Sequence, residues 1–216
     1  MAKTEMPKEK NDMWSLQHKI IISLFLAYLM TGCLGPKSTV PIRYYLIDPI
    51  EYPKNLSLKK DTPLSIEIIS LHIPQYLERF HIAKRVSKSR LDFSESHQWG
   101  ENLRKNLLRT MSRNLSQLLS TLDIGTPLNR SASLPDYRVQ IHIEQFELES
   151  NDKVKLVARW QLSSRNKPKP MGVFSAKLQG EKTIKKGDYE QMVSVMRQLY
   201  GDLCEHIAKT IVTQES

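Results

Sequence analysis

A chain of 216 residues with 40% hydrophobic and 25% charged side chains has room for one core of moderate size, which excludes a wholly disordered or low-complexity protein. The formal charge is +9, and removing residues 1–32 (Lys3, Lys8, Lys10 and Lys19 against Glu5, Glu9 and Asp12) leaves +8, so the basic excess belongs to the folded part. Such a surface attracts nucleic acid, anionic lipid or an acidic protein, and the compartment has to decide among them.

Residues Ile20 to Met30 form the apolar run IIISLFLAYLM, long enough for the core of a secretory signal and well short of the roughly twenty residues that span a bilayer as a helix. Thr31-Gly32-Cys33 follows at once. Small residues before a cysteine at the end of such a run resemble the lipobox of bacterial lipoproteins, where the thiol receives diacylglycerol and the signal is cut just before it. Met30 stands where that pattern favours Leu. We therefore expect residues 1–32 to be a signal peptide, Cys33 to be the lipidated residue, and 33–40 to be a tether containing Pro and Gly. Met13 offers a shorter, more basic leader than Met1 does. An uncleaved anchor or a buried helix is the competing reading of residues 20–30. Cys204, inside an amphipathic pattern, reads as an unpaired buried thiol.

The folded domain is expected over residues 41–213. Ile42 to Ile47 and Leu64 to Ile73 read as strands, with Asp48 to Pro63 a loop between them. QYLERF suggests a turn or short helix, and IAKRV and RLDF a hairpin turning at Ser87-Lys88-Ser89. A helix is predicted over Trp99 to Leu119, where Leu103, Leu107, Met111, Leu115 and Leu118 recur at helical spacing. Tyr137, Val139, Ile141 and Ile143 alternate with polar residues, and Phe146 and Leu148 continue one position out of step, which predicts a bulge near Glu144-Gln145. After a turn at Asn151-Asp152, Val154 to Leu162 and then Phe174 to Leu178 complete a three-stranded meander. Asp188 caps a last helix with Tyr189, Met192, Met196, Leu203 and Ile207 on its apolar side. The order implies an α+β fold, a mostly antiparallel sheet with two main helices packed on one face.

The hairpin is basic: Lys84, Arg85, Lys88 and Arg90, with Arg79 nearby, could form a docking surface for anionic lipid or an acidic partner, or could simply solvate a sheet edge. Hydrolase, nucleotide and zinc motifs are missing from the sequence, so we assign no catalytic, cofactor-binding or metal residue and expect no cofactor. The six histidines do not cluster along the chain. Glu147 and Glu149 read as solvated, and Tyr44, Tyr45, Trp99 and Trp160 as core aromatics. Nucleic acid is an improbable partner for a secreted, tethered domain.

Taken in order, Cys33, the early RYYLIDP, LHIPQYLERF, HIAKRVSKSRLDFSESHQWGENL and the terminal GDYEQMVSVMRQLYGDL resemble the ABC-type transport auxiliary lipoproteins (PqiC/YmbA-like) over nearly all of the mature region. None of these is a catalytic signature. The resemblance implies a non-enzymatic lipoprotein facing the periplasm that works with an MCE-domain membrane protein (PqiB-like) in moving membrane phospholipid between the two membranes, with homo-oligomerisation also expected. Leu34 after the lipidated cysteine, instead of Asp, points by the sorting rule of such lipoproteins to the outer membrane rather than inner-membrane retention. The alternative is an envelope enzyme or cell-wall-binding lipoprotein unrelated to lipid transport.

Overall fold

The computed structural model describes residues 18–24, 40–53, 64–129, 134–165 and 170–213. The chain divides into two units, Met1–Val40 and Pro41–Ser216. In the first, residues 18–24 are helical and exposed. No helix among the described residues is long and apolar enough to cross a membrane. Cys33 lies outside the described residues.

The second unit contains β1 (Arg43–Tyr45), β2 (Ile66–His72), β3 (His81–Ser87), β4 (Arg90–Trp99), α1 (Leu103–Leu119), β5 (Ile124–Gly125), β6 (Tyr137–Leu148), β7 (Val154–Ser164), β8 (Gly172–Gln179) and α2 (Tyr189–Thr213). Strict alternation makes β6 to β8 an antiparallel meander, with Ile141 opposite Trp160 and Trp160 opposite Phe174. The register slips between Ile143 and Gln145, where the hydrophobic pattern changes step, so the expected bulge is present. Asp152 turns the chain from β6 to β7 with φ of 57°.

The free edge of β6 takes two strands end to end. Parallel β2 pairs with Tyr137 to His142, and β3 meets Leu148 through Lys84, with the 3-10 turn Gln75–Glu78 stepping between them. β4 returns antiparallel from the hairpin, and the short β1 runs parallel to its last residues, His97 to Trp99. β5, a strand that residue patterning does not predict, pairs with the start of β2. The two longest pairings, β6 with β7 and β7 with β8, are antiparallel and β2 runs parallel to β6, so the sheet is mixed but mostly antiparallel, with the α+β architecture the elements imply.

Both helices cover the face bearing Val139, Ile141, Leu156 and Trp160, all buried. α1 begins four residues later than the leucine spacing predicts. Trp99 instead closes β4, its backbone N–H donating to Phe80 O at 2.7 Å, and Asn102 caps the helix by accepting from Lys105 N at 3.2 Å. Leu103, Leu107, Met111, Leu115 and Leu118 are buried as a stripe, each side chain contributing about 1.5–3 kcal/mol. Gly187, with φ of +85°, turns into α2, and Asp188 Oδ1 accepts from Gln191 N at 2.9 Å as its cap. The helices meet where Tyr200, stacked near Phe146, donates its hydroxyl to Leu107 O at 2.9 Å.

Residues 48–63 read as a loop, yet the described part of that segment is tightly held. Ile47 to Tyr52 forms a strap bonded to both helices. Asn106 accepts from Ile47 N at 2.8 Å, Thr110 donates to Ile47 O at 2.6 Å, Asn114 accepts from Ile50 N at 3.0 Å, and Gln117 donates to Ile50 O at 3.0 Å. From α2, the Arg197 guanidinium donates to Pro49 O at 2.6 Å, and Tyr52 donates its hydroxyl to Gly201 O at 3.0 Å. A Cβ on Gly201 would lie 2.6 Å from Ile50 Cγ1, so glycine there permits the close approach.

Candidate functional site

Every backbone group of a two-stranded hairpin not paired to its partner faces water or another element, and long cations keep such an edge soluble. In β3 and β4 the four predicted cations separate into different roles. Lys88 and Arg90 sit at the exposed tip, with Arg90 loosely opposite Asp92 at 3.7 Å. Lys84 leans inward, its Nζ 5.1 Å from the centre of the Tyr189 ring. Arg85 is committed elsewhere. Its Nε donates to Glu147 Oε1 at 2.7 Å, which leaves less of its charge for an outside ligand.

Glu147 corrects the expectation of a solvated acid, since its side chain is 0% exposed. Beyond Arg85, its carboxylate accepts from the Tyr76 hydroxyl at 2.7 Å, from Gln145 at 3.1 Å and from Phe146 N at 3.0 Å. A buried carboxylate with four donors is satisfied, and here it pins the 3-10 turn and β3 to the end of β6. Tyr76 is pushed above its ordinary value by burial and by the neighbouring carboxylate, so its hydroxyl keeps the proton that it donates to Glu147. Glu149 is half-buried, between Gln145 at 2.9 Å and Lys155 at 3.1 Å.

Beside Lys84 an aromatic stack ties the tether-side edge to α2. His97 lies flat on Tyr189, with centroids 3.8 Å apart and planes at 11°, and Tyr45 follows at 5.8 Å. His97 belongs to an irregular stretch of β4 where the register shifts, and its Nδ1 lies 3.0 Å from Ser94 Oγ and 3.1 Å from Ser96 Oγ. Burial, with Arg43 and Lys84 adding repulsion, holds its imidazole below the ordinary histidine value.

Between the hairpin and the start of α2 runs a groove of about 340 Å³. Lys84, Lys185 and Lys186 supply cations to it, and Val86, Leu148 and Tyr189 supply apolar wall. Asp92, Asp152 and Asp188 line it as well, so both signs of charge are present. Sequence reasoning missed Lys185, Lys186 and Tyr189, which lie about a hundred positions beyond the hairpin. Their only local signal is a basic pair just before a helix cap.

Other expectations meet the structure in mixed ways. Cys204 is fully buried, 3.6 Å from the Asn114 amide, and burial pushes its thiol up to about 12. Trp99 and Trp160 are core residues, whereas Tyr44 is 65% exposed because it points away from the helices at a sheet edge. Parallel pairing of β2 with β6 brings His72 opposite His142, with ring centres 6.2 Å apart. Among the described residues, no group of three or more His, Cys, Asp or Glu side chains could hold a metal ion.

The arrangement suits docking of a charged partner or amphiphile. Comparison with known proteins agrees with a transport accessory. Residues 45–208 match the family described as the ABC-type transport auxiliary lipoprotein component, a span from Tyr45 in β1 to Ala208 in α2. No curated protein matches the sequence. A crystal structure of an uncharacterized protein is similar with a TM-score of 0.60 at 16% identity, covering 80% of this chain and 99% of that one. The protein XCC0632 of Xanthomonas campestris, of the DUF330 family, is similar with a TM-score of 0.55 at 11% identity, covering 81% of this chain and 95% of its own. At such identities these two structures establish the fold alone.

Proposed function

This chain belongs to the ABC-type transport auxiliary lipoprotein family, and from that premise we propose that it is a periplasm-facing accessory subunit of an MCE/ABC-type system that moves phospholipid between membranes. The observation that carries the reading is the extent of the match, which takes in the strands from β1 to β8 and most of α2. The family is a transport accessory and not an enzyme class.

In this reading Cys33 carries the lipid that holds the domain at the membrane, at the periplasmic face of the outer membrane given Leu34. The basic hairpin then docks the MCE-domain partner or anionic head groups. Lys84, Lys88 and Arg90 carry that role, with Arg85 contributing chiefly to the fold through Glu147. Attraction of this kind weakens with salt, because exposed charges are screened over about 8 Å at physiological ionic strength. Self-association of the subunit belongs to the same reading.

The test is co-purification of the lipidated protein with the MCE-domain protein, alongside sedimentation with anionic liposomes. Reversing Lys84, Lys88 and Arg90 to Glu should weaken at least one of these, and added salt should weaken the same one. Unchanged binding in both assays removes the hairpin from the account. Loss of MCE-protein co-purification without loss of liposome binding assigns the hairpin to the protein partner.

A further inference from the structure

β1 is the first described strand after the anchor position, and it lies at the end of the sheet order, paired on one side to β4. Alternation puts Ile42, Tyr44 and Leu46 on one side of this short segment. They are 46%, 65% and 42% exposed. On the same side the register places Gln98 of β4 and His81 of β3, their side chains 3.3 Å apart, as a polar border. Arg43 and Tyr45 alternate to the opposite side. An exposed tyrosine set between exposed aliphatic side chains is the composition of a surface that sits at a lipid head-group boundary, where the ring lies in the interface and its hydroxyl stays wet.

Chain length says what covers this surface. Ile42 is nine residues after Cys33, and a chain spans at most about 3.3–3.6 Å per residue, so Ile42 lies within roughly 30 Å of the anchored thiol. A second exposed apolar group, Leu122, Leu128 and Leu134, lies in the loops beside β5 and before β6. It is separated from β1 by the length of β2, and the chain from Cys33 reaches it only after passing β1.

We propose that the Ile42, Tyr44 and Leu46 face rests on the phospholipid bilayer to which Cys33 is anchored, and so sets the orientation of the domain. The inference rests on lipidation of Cys33. It adds a second, non-covalent membrane contact with a defined face. The occupant is the bilayer surface, not a second copy of the chain adding a strand to the β1 edge.

The experiment uses the full-length protein, processed and lipidated in cells, then reconstituted into phosphatidylethanolamine/phosphatidylglycerol vesicles. Ile42→Cys, Tyr44→Cys, Leu122→Cys and Val173→Cys are each labelled with an environment-sensitive fluorophore, Cys204 being buried and Cys33 blocked by lipid. Intact mass establishes the lipid on each preparation. The expected result is blue-shifted emission at 42 and 44, quenched several-fold more by lipids brominated near the head group than emission at 122 or 173. Hydrogen exchange of residues 41–46 in the unlabelled protein should slow on vesicles, an independent reading free of the label. Lipidated protein whose labels at 42 and 44 stay in water, or whose label at 122 enters the bilayer instead, overturns the inference and leaves the anchor standing. Energy transfer between copies labelled at position 44, without quenching by brominated lipid, overturns it in favour of an edge-to-edge contact. Protein with no lipid on Cys33 overturns the anchor and this inference together.

Discussion

The strap under the helices and the hairpin beyond them use polar side chains in opposite ways. On α1, Asn106, Thr110 and Asn114 are buried, and each bonds the backbone of Ile47 or Ile50. At the hairpin, Lys88 and Arg90 remain in water. A buried neutral amide or hydroxyl costs little once its partners are fixed, whereas a lone buried ammonium costs far more than any packing gain. The fold therefore takes the buried contacts of the strap from Asn and Thr, lets Arg197 reach Pro49 O from a partly exposed position, and leaves Lys88 and Arg90 outside, where they can meet a partner. Arg85 crosses between the two regions, and it does so only because Glu147 is buried opposite it.

The largest break in that contrast should come from Glu147→Ala. Removing the carboxylate strands Arg85, the Tyr76 hydroxyl and Phe146 N together, and should cost about 3 kcal/mol, near the low end for a broken buried pair because Arg85 is partly exposed. Urea unfolding followed by tryptophan fluorescence measures it, since Trp99 and Trp160 are both buried. A loss below about 1 kcal/mol would mean that water replaces the carboxylate.

Asn106→Ala comes next. It leaves the buried Ile47 N–H without an acceptor, and about 2 kcal/mol should be lost in the same assay. Faster hydrogen exchange in residues 47–52 should accompany the loss if the strap is what loosens.

A smaller effect should follow pH at the stack between the two regions. The folded chain holds His97 below its ordinary value of 6.5, chiefly by burial, so the unfolded chain binds the proton first. Stability is then complete above about pH 6.5 and declines as pH falls below it. Unfolding midpoints from pH 7.5 to 5 should show a decline in the wild type that is shallower in His97→Gln. Equal slopes would place the titration elsewhere.

The smallest effect should be the double reversal of Lys88 and Arg90 to Glu, within about 0.5 kcal/mol of wild type in stability. A large loss would show these cations to be structural, which would erase the difference between the hairpin and the strap.

Much of this architecture is written locally. The Leu103 to Leu118 spacing, the β6 alternation with its change of step and the Asp188 cap each lie within one element, and each forms where its pattern says. Trp99 is instructive because its apolar side chain suits either a helix start or a strand end. Only the bond to Phe80 O decides for the strand. The row Asn106, Thr110, Asn114 recurs every four residues beside the leucine stripe, so a polar stripe on the buried side could have been suspected, though not what it binds.

Most of the elements and their order thus follow from the sequence by itself, because periodicity and capping are encoded over a few turns of chain. Tertiary structure alone decided that Glu147 is buried, that Ile47 to Tyr52 is a strap, that Lys185 and Lys186 join the hairpin groove, and that Tyr44 faces outward. Glu147 meets Tyr76 and Arg85 across separations of 71 and 62 residues. Contacts at such distances depend on which strand edges pair and in what register, and a side chain's own neighbours in the chain carry no record of that.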